Sequence, residues 1–115
     1  MVIASALAQS PDLLLLDEPT ASLDLGYQLD IAALLRDLNR RRGVTMLLAT
    51  HDLNLAAAIC THVVMLRGGS VLAEGAIGDI LTAARVRELY GVEADVRHHE
   101  AAGHLTVVPL MRVSP

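Results

Sequence analysis

The order of hydrophobic patterns predicts an α/β fold: a parallel sheet with flanking helices, followed by β-hairpins. Three observations carry that prediction. A continuous apolar run, Leu13–Leu16, and a mostly apolar stretch, Val44–Ala49, each lead into polar or charged residues, the pattern of strands buried on both faces of a parallel sheet. A long segment with leucines at helical spacing separates them, and a short Ala-rich helical segment follows the second run; strands alternating with helices indicate α/β layering. Further along, short apolar stretches flank paired glycines, which points to hairpins.

Each element can be justified in turn. In "MVIASALAQ", Val2, Ile3, Ala6 and Leu7 fall on one helical face and Ser10-Pro11 provides a stop, so a helix is expected there. Leu13–Leu16 is the first strand. Leu29, Ile31, Leu34, Leu35 and Leu38 then form a helical stripe, with Asp24 placed to cap its start and Gly43 suited to the left-handed position after its end. Arg40, Arg41 and Arg42 fall on the last turn of that helix, where positive charge complements the helix dipole. Val44–Thr50 is the second strand, and "HDLNLAAAIC" is a short helix with Asp52 as N-cap. "HVVMLRGGSVLAEG" reads as a hairpin in which Gly68 and Gly69 both supply positive φ. "AIGDILTAARVRELYG" reads as two short helices broken near Thr82, and "VEADVRHHEAAGHLTVVPL" as a second hairpin turning near Ala101–Gly103. The closing residues are expected to form a tail.

Composition narrows the function classes. The chain is 53% hydrophobic yet has no Phe and no Trp, so its core must be aliphatic. A mean hydropathy of +0.46 is high for a free-standing domain and suits a chain whose apolar surface meets further sequence or a partner. The net charge of −4 and the lack of a broad basic patch argue against a nucleic-acid surface. Cys60 is the single cysteine; it can form no intramolecular disulfide, suits a reducing compartment, and sits in "LAAAIC" as a small buried hydrophobe. No apolar run approaches the ~20 residues of a membrane span, and the N-terminal stretch lacks the basic region of a signal peptide. A cytoplasmic location is therefore expected, with docking on a membrane protein compatible with it.

The chemistry gathers at the strand ends. In open α/β sheets, ligands bind outside the carboxyl ends of the strands. Asp17 and Glu18 stand at that end of the first strand and His51 at that end of the second. Two carboxylates and an imidazole on one rim match the needs of phosphoryl transfer: an acid for Mg²⁺, a group to orient or deprotonate water, and a group near the γ-phosphate. Mg²⁺ keeps several waters, so one carboxylate acting through water is sufficient. An Asp-Glu pair before Pro19 is equally compatible with a solvated strand terminus. His98, His99, Glu100 and His104 cluster near one hairpin, and imidazole suits Zn²⁺. Adjacent strand residues face opposite ways, however, so a solvent-facing hairpin tip is the favoured account. His62 reads as a helix-to-strand junction residue and Tyr90 as a packing residue.

"LLLLDEPTASLD" followed by "LLATHD" closely resembles the ATP-binding subunits of ABC transporters, a branch of the P-loop NTPases. The resemblance implies that Asp17 and Glu18 are the Walker B acids, with Asp17 holding Mg²⁺ through its water shell and Glu18 polarising the attacking water. It makes His51 the switch histidine at the γ-phosphate. It also places Ser22, Leu23 and Asp24 in the D-loop, at the interface of two facing ATPase subunits that sandwich ATP. "IASALAQSPDLLLLDEPT" is similar to the run from the signature helix into Walker B, with Ser5 where an arginine is usual. "HDLNLA", "GDILT" and "YGV", in that order, resemble importers of iron-siderophores, haem and cobalamin. The implied cofactors are ATP and Mg²⁺. The implied partners are transmembrane permease subunits, a second ATPase subunit and, indirectly, a substrate-binding protein, at the inner face of the cell membrane. In that family the imported ligand touches the permease and binding protein rather than the ATPase.

The family's phosphate loop, G-x-x-x-x-G-K-[ST], grips phosphates with backbone N–H groups and a lysine. No segment here fits it, and the chain contains no lysine. The Q-loop and LSGGQ signature have no counterpart either. Residues 1–115 therefore correspond, on this resemblance, to the C-terminal part of one ABC ATPase domain, an incomplete P-loop NTPase fold. The chain alone is expected neither to bind ATP tightly nor to hydrolyse it. Its strands are expected to leave unpaired edges and apolar faces that limit solubility. Two other readings are a non-catalytic remnant that binds a permease or ATPase subunit, and a fragment of a non-transport ABC ATPase. The transporter-like segment after His51 and the acidic balance disfavour the latter.

Overall fold

The computed structural model describes residues 2–6 and 13–113. Along the chain run β1 (Val2–Ala6), β2 (Leu13–Asp17), α1 (Leu25–Arg42), β3 (Thr45–Thr50), α2 (Leu53–Ile59) and β4 (His62–Arg67). They are followed by β5 (Ser70–Ala76), α3 (Ile77–Ile80), α4 (Ala83–Tyr90), β6 (Val92–His99) and β7 (His104–Arg112). A five-stranded sheet has the order β2-β3-β1-β4-β5, and β6-β7 form a separate two-stranded sheet. The expected parallel pairing joins β2 to β3, in register from Leu13↔Thr45 to Asp17↔Ala49.

The N-terminal segment differs from the sequence expectation. Val2–Ala6 is a strand rather than a helix, and it enters antiparallel between β3 and β4. A mostly apolar stretch this short fits either period, so pattern alone cannot separate the two. The sheet decides, because β1 supplies partners to the backbone groups of two neighbours at once, and Val2 is fully buried. The edge of β3 expected to be unpaired is thereby covered. Leu7 and the Ser10-Pro11 stop lie outside the described residues.

A second correction concerns burial. β2 and β3 were expected to be buried on both faces, but only one face is covered. Met46, Leu48 and Thr50 are buried, whereas Leu13, Leu15 and Leu47 on the opposite face are 60%, 65% and 40% exposed. The alternation follows from the period-2 geometry of a strand: the covered side meets a core built from Ala32 of α1, Leu55 and Ala56 of α2, and Val86 of α4.

Local signals fixed the helix ends. Asp24 Oδ1 accepts from the Tyr27 N–H at 3.0 Å, and Gly43 takes φ 65° after the last turn, with the Val44 N–H donating back to Leu38 O. Asp24→Ala should cost about 1 kcal/mol by removing this cap; an unchanged urea midpoint would refute that role. Of the predicted stripe, Leu35 is buried while Leu29 and Leu34 are 72% and 52% exposed, because one flank of α1 alone meets the sheet. Asp52 and Thr82 cap α2 and α4 in the same manner. Gly68 and Gly69 turn the β4–β5 hairpin at φ 57° and 81°. Cys60 is buried, and burial pushes its thiol up to about 12, which leaves it an inert packing group.

The β6–β7 hairpin turns as expected, but β7 runs on to Arg112, so the closing segment is largely strand rather than tail. The Asn54 side chain fastens the hairpin to α2: its amide nitrogen donates to Val107 O at 3.1 Å, and its oxygen accepts from the Val107 N–H at 2.7 Å. Among the described residues, no helix is long and apolar enough to cross a membrane.

Candidate functional site

The parallel register of β2 and β3 brings the carboxyl ends of both strands level. The Glu18 N–H donates to Ala49 O at 2.8 Å, extending the pairing one step past Asp17. Glu18 itself has φ 46°, a left-handed conformation that costs a non-glycine residue about 1–3 kcal/mol and persists only where surrounding contacts enforce it. Those contacts converge on its side chain. Oε1 accepts from the His51 N–H at 2.9 Å and lies 2.6 Å from His51 Nδ1, while Oε2 accepts from the Thr50 hydroxyl at 3.1 Å. A carboxylate only accepts, so Nδ1 carries the proton in this pair.

Partial burial pushes the Glu18 carboxyl up, but the bonds from the His51 ring, the Thr50 hydroxyl and the His51 amide outweigh it and hold the group below its ordinary value. The ionised form therefore stabilises the rim above the ordinary carboxylate range. That contribution is lost as the pH falls through the lowered folded value.

Thr50 was not singled out from sequence. It is fully buried, and its hydroxyl accepts from the Asp52 N–H at 2.9 Å while donating to Glu18. The available signal was a polar residue closing an apolar strand directly before His51. Tyr90, read as a packing residue, is half-buried, with its ring 6.5 Å from that of His51 at an interplanar angle of 44°. Burial and the negative charge of Glu18 both push the Tyr90 phenol up.

Asp17 does not join the pair. It stands on the exposed face of the sheet, in a cleft with Leu15, Leu47 and Ala49. Among the described residues, no three groups of metal-ligating type gather. Asp17 could therefore hold Mg²⁺ only as one carboxylate acting with water and phosphate oxygens, an arrangement that suits this ion. Its donor chemistry fits. Ser22, Leu23 and Asp24 lie in the turn between β2 and α1, where the Leu23 N–H donates to Thr20 O and the Ala21 N–H to Glu18 O. Ser22 is exposed at φ 66°, Leu23 is half-buried, and the Asp24 carboxylate is engaged as the α1 cap. At the second hairpin, His99 Nδ1 accepts from the Ala102 N–H and His104 Nδ1 lies against Leu105 O, so these rings make local turn contacts.

Comparison with known proteins places this rim in context. A family model described as "AAA domain, putative AbiEii toxin, Type IV TA system" matches residues 2–57. The ferric enterobactin transport ATP-binding protein of Escherichia coli (strain K12) is 42% identical over 113 residues, covering 98% of this chain and 42% of that protein. The hemin import ATP-binding protein of Bordetella avium (strain 197N) is 44% identical over 109 residues, covering 94% of this chain and 42% of that protein. The chain belongs to the ABC-transporter ATP-binding family. The iron(3+)-hydroxamate import ATP-binding protein of Bacillus subtilis (strain 168) is a further ABC relative, 43% identical over 94 residues, covering 82% of this chain and 35% of that protein. A solved structure, "An inward-facing conformation of a putative metal-chelate type ABC transporter", superposes with a TM-score of 0.74 at 28% identity. That match covers 86% of this chain and 40% of the other. The α/β ABC ATPase fold is thus shown, and the chain spans about two-fifths of the length of the ABC relatives it matches.

Proposed function

We propose that this chain carries the water-activating and γ-phosphate-sensing part of an ATPase subunit that drives import of an iron-siderophore, haem or cobalamin. The observation that carries the reading is the Glu18–His51 contact at 2.6 Å on the rim of two parallel strands. An ionised carboxylate offers about four acceptor positions. Three are taken by His51 and Thr50, and the remaining one, on Oε2, suits a water that Glu18 would polarise. With Nδ1 tied to Glu18, the outer nitrogen of His51 would donate to a phosphate oxygen when the ring carries both protons. Asp17 would hold Mg²⁺ through water, and bound Mg-ATP would supply the phosphoryl group. Ser22, Leu23 and Asp24 would face a second ATPase subunit. Permease subunits at the inner face of the cell membrane would be the remaining direct partners, with a substrate-binding protein acting through them. The names of the relatives, which cover ferric enterobactin, hemin and iron(3+)-hydroxamate, support an iron-chelate or haem cargo.

No residue here supplies a phosphate loop, so the nucleotide is anchored only where additional sequence provides one. The test is a chimera in which residues 1–115 replace the matching part of the Escherichia coli ferric enterobactin ATP-binding protein. The chimera should hydrolyse ATP, and the 115-residue chain alone should not. A chimera that binds ATP without turnover would refute the assigned roles. Saturable turnover by the chain alone, lost on Glu18→Gln, would refute the half-site reading. A non-catalytic docking role is favoured by the exposed Leu13, Leu15 and Leu47 face; it predicts nucleotide-independent binding to a permease or ATPase subunit.

A further inference from the structure

The Glu18–His51 contact depends on the orientation of a side chain that is 59% exposed. Exposed imidazoles sample several rotamers, so something must hold Nδ1 toward Glu18. One restraint is the hydrogen bond itself. The other comes from further along the chain, where α4 ends at Tyr90 and places its ring 6.5 Å from His51, tilted 44°.

The position of Tyr90 is itself fixed. Gly91 ends α4 in the left-handed conformation, with its N–H on Arg87 O. The following strand pairs with β7, which Asn54 grips from α2, three residues after His51. A closed circuit results, running from His51 through α2 and the hairpin to Tyr90 and back to His51. The cleft inside it, about 240 Å³, is lined by His51, Tyr90, Asn54, Val86 and Val107, with Asp52 as the further titratable group. The Asp52 carboxylate is occupied as the α2 cap. The Tyr90 hydroxyl is shut off from solvent and has no hydrogen-bond partner among the described residues. A phenol that serves packing alone usually sends its hydroxyl to water or to a partner. Here the ring position is held although the hydroxyl gains nothing from it.

We propose that Tyr90 is a positioning residue whose ring backs the His51 imidazole and keeps Nδ1 turned toward Glu18. The ring, not the hydroxyl, does this. The α4–hairpin unit thereby sets the geometry of the rim, and a disturbance of the hairpin reaches Glu18 through Tyr90 and His51. The catalytic meaning rests on the reading of Glu18 and His51 given above. The contact is nevertheless measurable without nucleotide, so the two can fail separately.

The experiment measures the χ1 rotamer of His51 by three-bond scalar couplings in the full chain, compared with Tyr90→Leu and Tyr90→Phe. Loss of the ring should lower the population of the rotamer that turns Nδ1 toward Glu18 by about twofold, because the other staggered wells become accessible. Tyr90→Phe keeps the ring and should leave that population in place. A folded Tyr90→Leu chain with the parent population would overturn the proposal, as would a Tyr90→Phe loss equal to that of Tyr90→Leu. If Tyr90→Leu does not fold, the parent chain still decides. Nuclear Overhauser contacts between the ring protons of Tyr90 and His51 are required, and their absence would overturn the assignment.

Discussion

Glu18→Gln, placed in the chimeric subunit, should lower ATP turnover by about 100- to 10,000-fold, the range expected for loss of a general base. The geometry explains why the loss should be chemical rather than structural. Glutamine has the same shape, and its amide oxygen can still accept from the His51 N–H and Nδ1. Its amide nitrogen would face the Thr50 hydroxyl, which now donates to Oε2 at 3.1 Å. That hydroxyl has two acceptor positions, one already used by the Asp52 N–H, so it can rotate and accept from the new amide. Each hydrogen bond of the rim can therefore be rebuilt, while the negative charge and the capacity to take a proton are gone. Nucleotide affinity, measured separately with a fluorescent ATP analogue, should change little. A turnover number within tenfold of the parent chimera would remove Glu18 from the chemistry.

What the sequence disclosed depended on how far apart the interacting residues lie. Asp24, Asp52 and Thr82 cap helices through bonds to residues three positions on, and Gly43, Gly68 and Gly69 adopt positive φ within their own turns. Such signals are local, so composition at one position is enough to read them. The meeting of Glu18 and His51 at one rim was also legible, because two apolar runs with residues of catalytic type at their ends constrain a parallel pair strongly. Val2–Ala6 was not legible as a strand. Its conformation is dictated by the backbones of β3 and β4, far along the chain, and a five-residue stretch carries no decisive period of its own. Thr50 and Tyr90 were underread for a related reason. Each owes its importance to a contact more than thirty positions away, Thr50 to Glu18 and Tyr90 to His51, and neither residue type announces such a contact. The exposed face of β2 and β3 was hidden as well, since "LLLL" gives no alternation from which to tell a covered side from an open one.

That open face leads to the second large effect, a contrast between adjacent leucines. Leu48 is 1% exposed and Leu47 is 40% exposed, because successive side chains of β3 point to opposite sides of the sheet. Leu48 packs into a core with Ala56, Val63 and Met65, whose buried members carry no aromatic ring. Leu48→Ala should therefore cost about 2–5 kcal/mol through lost transfer energy and the cavity left behind. That is a large fraction of the roughly 5–15 kcal/mol that stabilises a typical domain, and the thermal midpoint should fall by about 10 °C or more. Leu47→Ala in the same chain should stay within about 0.5 kcal/mol of the parent, as for other exposed positions. Thermal unfolding followed by circular dichroism distinguishes the two directly. The consequence for function follows from position: β3 ends at Thr50, directly before His51, so a Leu48 cavity loosens the strand that presents both donors to Glu18. Equal losses at positions 47 and 48 would mean that the face bearing Leu13, Leu15 and Leu47 is covered in solution. The mass of the sample by light scattering would then tell whether a second copy of the chain covers it.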